Sequence, residues 1–509
     1  MLKRLTLAWR LVLAATAITA AFLALVHGGV LRLEVPNQHW FAHARYPWGG
    51  LLVVPFTALG LLLAALAGAL RAPKARAHWV LGAAFICACA CTIGTRTAAG
   101  SGIVALTTTI ICDGSNSYFT TAIDTPDPLA LAREYPQRMP QLRLHAATQS
   151  PGAMLLHAAL RQWYLRSPAL QGFVESLLWL SAGTRTTEVA AALNPLWQLR
   201  LSPADVGAAT MIGLLFPLLG ALAVFPVFPL ARRLGGHRAA LLITALYAVT
   251  PSLIWFTASI DQFYPLLAAT ILLLLYHAAR GRRGSYVAAG VAGLLTGAGV
   301  FLNFGFAVVG AIGALFVGLR ACPRLGRAGD DRAANFPAAR VAALGVYALG
   351  ALAVLIVAQF GLGIDLVGVA RVSGDLRTKL YLHDLPRPWL TWVLLNPFEF
   401  TIGLGWSSTV VVVAALACWR RVRGPAIVIL SATLAVLLLL DLSGAARAEW
   451  SRLVLFAMPL CLLGAGSAVR SLRLTQAGPA VLLVLGQGLY TLIGYQLFDV
   501  WGYWTIPFR

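Results

Sequence analysis

Apolar residues run through this chain in long stretches, separated by short polar and often basic turns. An apolar stretch of ~17–25 residues, wound as a helix, crosses about 30 Å of hydrocarbon. Such stretches lie at about 11–31, 49–70, 79–95, 206–230, 239–256, 262–279, 286–302, 304–320, 341–363, 400–418, 425–441, 452–468 and 477–495. In lipid every backbone group must find its partner inside the protein, so these stretches predict helices. The pattern predicts an all-α polytopic membrane protein with about thirteen transmembrane helices, within a range of eleven to fourteen. The first stretch follows Lys3, Arg4 and Arg10, as a signal peptide would. Its apolar run from Leu11 to Val26 is long for a signal, and no small-x-small site ends it, so it reads as a membrane helix.

Composition agrees. The 509 residues are 59% hydrophobic and 11% charged, whereas a soluble domain carries about 25% charged residues. The net charge of +21 would suggest nucleic acid in a soluble protein. Here the positive-inside rule accounts for it, and no nucleic-acid partner is expected. With the N-terminus inside, the inner segments are 1–10, 71–78, 231–238, 280–285, 320–340, 419–424 and 470–476. They hold 22 of the 39 Lys and Arg but only Asp330 and Asp331 of the 18 acidic residues. The 36 Arg against three Lys (Lys3, Lys74, Lys379) fit a GC-rich bacterial coding bias. The expected location is the inner (cytoplasmic) membrane, multi-pass, with a cytoplasmic N-terminus and a polar outer face.

The chain divides into two N-terminal membrane helices (1–78), a larger membrane module (79–470) and a C-terminal helix with an outer tail (471–509). The module carries outer loops at 96–203 and 364–399. Ile103 to Cys112 is apolar but too short to span, so it is expected as an outer segment or a helix extension. Within the first loop, Pro151–Leu165 and Gly172–Ala182 are amphipathic and predict helices lying at the interface. Trp163, Tyr164 and Trp179 would sit at headgroup depth. Cys87, Cys89 and Cys91 form a C-x-C-x-C run with no His or carboxylate nearby, which reads as small packing residues more than as a metal site. The basic stretch 320–340 is expected to be a solvated linker.

Four polar features fall on the outer side. Asp113, in CDGSNSYFTTAID, ends an apolar run; it is either a functional carboxylate or a helix cap. The string HAATQSPG from His145 to Gly152 opens a helix whose free N–H groups favour an anion, with His145 able to donate to the same phosphate. The plain alternative is a loop histidine before a well-started helix. Asp261, in SIDQFY, would bind a hydroxyl or a metal, or cap the next helix. Glu449 and Arg452, in ARAEWSRLVLFAMP, form either an i,i+3 ion pair or part of a phosphate site. Gathered on one face, the four features suit a lipid-phosphate substrate at the bilayer surface.

These residues resemble the GT-C superfamily of integral-membrane glycosyltransferases, which use polyprenyl-phosphate sugars. Asp113 matches the acidic residue early in that family's first outer loop. His145, Thr148, Pro151 and Gly152 match its His-x-x-Thr-His-Pro-Pro-Gly-like string, with Gln149 and Ser150 in place of the second His and first Pro. The resemblance covers about residues 80–470. It implies inverting transfer of a sugar from a polyprenyl-phosphate donor to an acceptor hydroxyl on a cell-envelope glycan or glycolipid. In that reading Asp113 is the base; His145, Thr148 and Arg452 contact the donor phosphate; Asn116, Tyr118, Gln149, Asp261 and Glu449 contact sugar or acceptor. In some relatives a divalent metal ion assists; no cluster here compels one. The other readings are a polysaccharide polymerase or ligase using a lipid-pyrophosphate donor, and a transporter or flippase of lipid-linked saccharides. A transporter would favour interrupted helices, and these stretches read as mostly uninterrupted. A non-catalytic scaffold would need no outer cluster of Asp, His and Arg.

Overall fold

The computed structural model describes residues 6–31, 33, 42–43, 52–72, 77–98, 101–280, 284–321, 337–420 and 424–499. Among these, the architecture is all-α and polytopic. The strand content is one antiparallel bridge that pairs Ala42–His43 with Phe498–Asp499. Among the described residues ten helices are long and apolar enough to cross a membrane. The pair Trp389–Leu404 and Trp406–Ala417, bent by 113°, makes eleven if counted as one span. The two remaining expected spans are present as shorter helices. Phe304–Leu319 is apolar but short, and the stretch Ala457–Ser471 is broken at Ala465 into two pieces.

The segment after Arg96 does not cross. Val104–Ile111 is a helix of eight residues, about 12 Å long at 1.5 Å per residue. It is buried along its whole length. Thr107 Oγ1 meets Thr210 Oγ1 at 2.8 Å, and Arg96 donates to Thr109 Oγ1 at 2.9 Å. The helix therefore serves as an inner brace for the neighbouring long helix Pro203–Leu222.

The longer helices of the first loop's second half are Gly152–Leu165, Pro168–Ala182 and Thr186–Trp197. Trp163, Phe173, Trp179 and Leu180 are more than half exposed, as interfacial helices require. Tyr164 faces into the protein. It is buried, and its hydroxyl rests on Gly207, where any Cβ would overlap it.

The spans are less continuous than their apolar patterns suggest. The helix beginning at Trp389 starts about ten residues before the expected span, because its polar residues are paired within the protein. Asn396 donates to Asp441 Oδ1 at 2.9 Å and to the Ala446 carbonyl at 3.1 Å. Glu399 Oε1 accepts from the Ser451 N–H and hydroxyl, both at 3.0 Å. The helix then turns sharply at Gly405, whose φ of +86° favours glycine. Gln487, from the last long helix, closes the break. Its carboxamide donates to the Leu404 carbonyl at 2.6 Å and accepts from the Ser408 N–H at 3.3 Å. A side chain in this position satisfies backbone groups that lipid cannot.

The N-terminal helix Leu7–His27 packs on Ala477–Leu497 and Trp406–Ala417, and Val53–Arg71 packs on Ala77–Thr97 and Ala477–Leu497. Cys87 and Cys91 are buried, with their sulfurs 3.8 Å apart one turn along their helix. Most of the 320–340 linker lies outside the described residues.

Candidate functional site

Asp113 opens the helix Asp113–Ile123, which breaks its helical geometry at Asn116 (φ −161°, ψ 66°). The Asp113 carboxylate is fixed at both oxygens. Oδ1 accepts from the Thr120 hydroxyl at 2.5 Å, and Oδ2 pairs with Arg143 Nη1. Arg143 also reaches Asp124 with Nη2 at 2.8 Å. Asp113 therefore takes part in an ion-pair relay in addition to opening its helix.

The next residue connects this group to the second motif. His145 Nε2 lies 2.9 Å from the Gly114 carbonyl. An oxygen can only accept, so Nε2 carries the proton and Nδ1 is left as the acceptor. Burial and the Arg452 charge lower the His145 pKa below its usual value, which favours the neutral ring. This changes the expected role of His145 as a phosphate donor: its one ring proton is used by Gly114. The expected anion seat at the helix start also changes. Ser150 Oγ donates to the Phe301 carbonyl, and Gly152 packs so closely on that carbonyl that a Cβ would overlap it. Pro151 and Gly152 are buried there, away from the cavity lining.

The third and fourth motifs meet directly. Gln262 pins the Asp261 turn by accepting from the Ala258 N–H at 3.1 Å and donating to the Leu253 carbonyl at 2.7 Å. Arg452 then bridges two carboxylates, with Nε 3.5 Å from Asp261 Oδ2 and Nη2 2.8 Å from Glu449 Oε2. The i,i+3 pair expected from spacing is present, and Arg452 extends it to Asp261. Burial opposes charge on Glu449, but Arg452 and Arg387 outweigh it and hold the carboxyl down to about 2.

A cavity of about 160 Å³ lies where three loops converge. The first loop contributes Gly114, His145, Thr148 and Gln149, the second Arg377, Tyr381 and Arg387, and the third Glu449 and Arg452. Asp113, Asn116, Tyr118 and Asp261 stand behind this lining. Tyr118 is buried with its ring centroid 6.3 Å from that of His145. Burial and the Asp261 charge push its hydroxyl pKa up, so it stays protonated. The Asn116 carboxamide and Gln149 Oε1 are buried with no hydrogen-bond partner among the described residues. The Thr148 hydroxyl donates to Leu144, while its carbonyl accepts from Ser373 at 2.6 Å and Arg377 at 3.1 Å.

Arg143, Arg377 and Arg387 were not among the residues expected from sequence. Arg387 donates to the Arg447 carbonyl at 2.6 Å, and Arg447 donates back to the Arg387 carbonyl at 2.7 Å. Both guanidiniums lie over the Tyr381 ring, at 5.7 and 5.2 Å. The available signal was arginine away from the compact basic turns that the positive-inside rule accounts for. Among the described residues no three His, Cys, Asp or Glu side chains converge to hold a metal ion. Glu449, which lines the cavity, and Asp261, which stands behind it, are both engaged by arginines. This donor set does not suit a metal.

No family model matches the chain, and no curated protein matches it. The solved structures similar to the chain include the following two. ArnT from Cupriavidus metallidurans, in its apo state, is 12% identical; the match covers 74% of each chain at a TM-score of 0.38. The Archaeoglobus fulgidus oligosaccharyltransferase, in complex with zinc and sulfate, is 13% identical; the match covers 73% of this chain at a TM-score of 0.34. The chain spans about half of that archaeal protein, 53% of its length.

Proposed function

We propose that this chain is a GT-C-type membrane glycosyltransferase that moves a sugar from a polyprenyl-phosphate donor to an acceptor hydroxyl with inversion. The observation that carries this reading is the placing of Arg452. A buried guanidinium lines a small cavity together with His145, and His145 binds the Gly114 carbonyl, next to Asp113. Charge that develops on a leaving phosphate is stabilised by such fixed donors. Arg377 and Arg387 line the same cavity.

Asp113 accepts the acceptor's hydroxyl proton as the oxygen attacks the anomeric carbon. The bond from that carbon to the phosphate oxygen breaks, and its electron pair leaves with the phosphate. Arg143 and Thr120 fix the aim of the carboxylate, and each of its oxygens keeps a lone pair for the incoming proton. Gln149 lines the cavity, where a hydroxyl-rich ligand would use its unpartnered oxygen, and Asn116, Tyr118 and Asp261 support the lining from behind. The lipid chain has a matching apolar groove of about 260 Å³, lined by Phe400, Leu404, Val412, Leu434, Leu437 and Trp450. Trp450 directly follows Glu449. The clustering of basic residues at the opposite ends of the helices supports an extracytoplasmic site, with a cell-envelope glycan or glycolipid as the acceptor.

The test is turnover. Membranes containing the chain are given a panel of polyprenyl-phosphate hexoses and pentoses together with envelope lipids, and release of polyprenyl phosphate is measured. Release that depends on the chain and on acceptor supports the proposal; its absence across the panel contradicts it. The break at Gly405 favours a transporter instead, although Gln487 closes it. Movement of a labelled lipid-linked sugar across liposomes without any acceptor would favour that second reading.

A further inference from the structure

Glu449 occupies an unusual position. Its two oxygens are shared between guanidiniums from different loops, Oε2 with Arg452 at 2.8 Å and Oε1 with Arg387 at 3.6 Å. Two forked cations converging on one flat anion is an arrangement suited to phosphate. Both cations are also held by other partners. Arg452 and its other partner Asp261 are both buried. Arg387 is stacked over Tyr381 and Trp392 and is hydrogen-bonded to the Arg447 carbonyl. The Glu449 side chain, by contrast, is 39% exposed, so it is the member of the cluster with room to leave.

The backbone here carries strain. Ala448 and Glu449 both have left-handed φ values, +68° and +58°, in a region that residues other than glycine rarely adopt. The Ala448 N–H is held by Asn396 Oδ1 at 3.3 Å. Such strain persists where the surroundings impose it, and it concentrates at ligand clamps.

Resting on the reading above, we propose that Glu449 is an internal stand-in for the donor phosphate, filling the seat between Arg387 and Arg452 when no substrate is bound. The entering phosphodiester displaces the carboxylate one negative charge for one. After transfer the lipid phosphate carries about −1.5 to −2, and the returning carboxylate competes with it for the same arginines, which eases its departure. This gives Glu449 a role different from direct contact with sugar or acceptor. The carboxyl, held down to about 2, is charged at every working pH.

The experiment is binding of farnesyl phosphate and of farnesol to the purified full chain in detergent. Folding of each variant is checked by gel filtration and thermal melting. Glu449→Gln is expected to bind farnesyl phosphate about tenfold more tightly than the wild type, the effect of about 1.4 kcal/mol, with farnesol affinity unchanged. Glu449→Asp, one methylene shorter, is expected to fall between them. Equal or weaker farnesyl phosphate binding by Glu449→Gln, while the wild type still prefers the phosphate over farnesol, overturns this inference alone. No preference for the phosphate in the wild type overturns both this inference and the donor-phosphate reading. An equal gain for farnesol places the effect in the apolar part and also overturns the inference.

Discussion

Arg143 binds Asp113 through Nη1 while its Nη2 holds Asp124 at 2.8 Å. One guanidinium thus ties the proposed base to a carboxylate at the other end of the same short helix segment. With Thr120 on its other oxygen, Asp113 has little rotational freedom. The arginine acts on the orientation of the base and does not line the cavity.

This relationship predicts a split in kinetic effects. Arg143→Gln frees the carboxylate to rotate, so kcat is expected to fall about 100-fold, as misplacement of a reacting group by about 1 Å does. KM for the donor is expected to change little, and Arg143→Lys to recover part of the loss. Steady-state kinetics on the three proteins checks this. A rise in KM with kcat unchanged would instead make Arg143 a donor contact.

The break at Gly405 predicts a stability effect far from the site. Gln487→Ala leaves the Leu404 carbonyl and the Ser408 N–H without the partner they have at 2.6 and 3.3 Å. An unsatisfied buried polar group costs about 1–3 kcal/mol. The melting temperature in detergent is expected to fall, and by more than for Gln476→Ala at the start of the same helix. Equal melting temperatures would mean that water closes the break instead.

Glu449 predicts a pH dependence with a definite sign. Its folded carboxyl, at about 2, lies below its ordinary value of 4.5. A depressed carboxyl stabilises the fold above its unfolded value and loses that contribution as the pH falls through the folded value. The wild type is therefore expected to be more stable than Glu449→Gln from pH 8 to about 5. The gap should shrink progressively between about pH 4.5 and 2. Melting of both proteins across that range checks it, and a gap that widens in acid would contradict the assignment.

Most of the helical architecture was legible because lipid imposes one rule on every span: about 20 apolar residues, wound as a helix. The rule fails where polar residues are paired internally. Asn396 and Glu399 made the start of the Trp389 helix look like loop, although Asp441 and Ser451 satisfy them. The polar motifs were also legible, since carboxylates beside a span stand out. Their partners were not. Arg143, Arg377 and Arg387 lie 30 to 68 residues from the groups they bind in Asp113, Ala445 and Glu449, and no local spacing connects them. Contacts between backbones were equally hidden. Nothing in HAATQSPG shows that Phe301 covers the start of its helix, or that Gly114 takes the His145 proton.

The central claim is that Asp113 is the base of a sugar transfer. Its most direct test is the rate of sugar transfer by Asp113→Asn in membranes, measured at saturating donor and matched expression. Asparagine keeps the shape and the contact with Thr120 but cannot take a proton, so the rate is expected to fall roughly 10²–10⁴-fold, with folding and donor binding retained. A variant that transfers sugar at the wild-type rate would remove Asp113 from the chemistry.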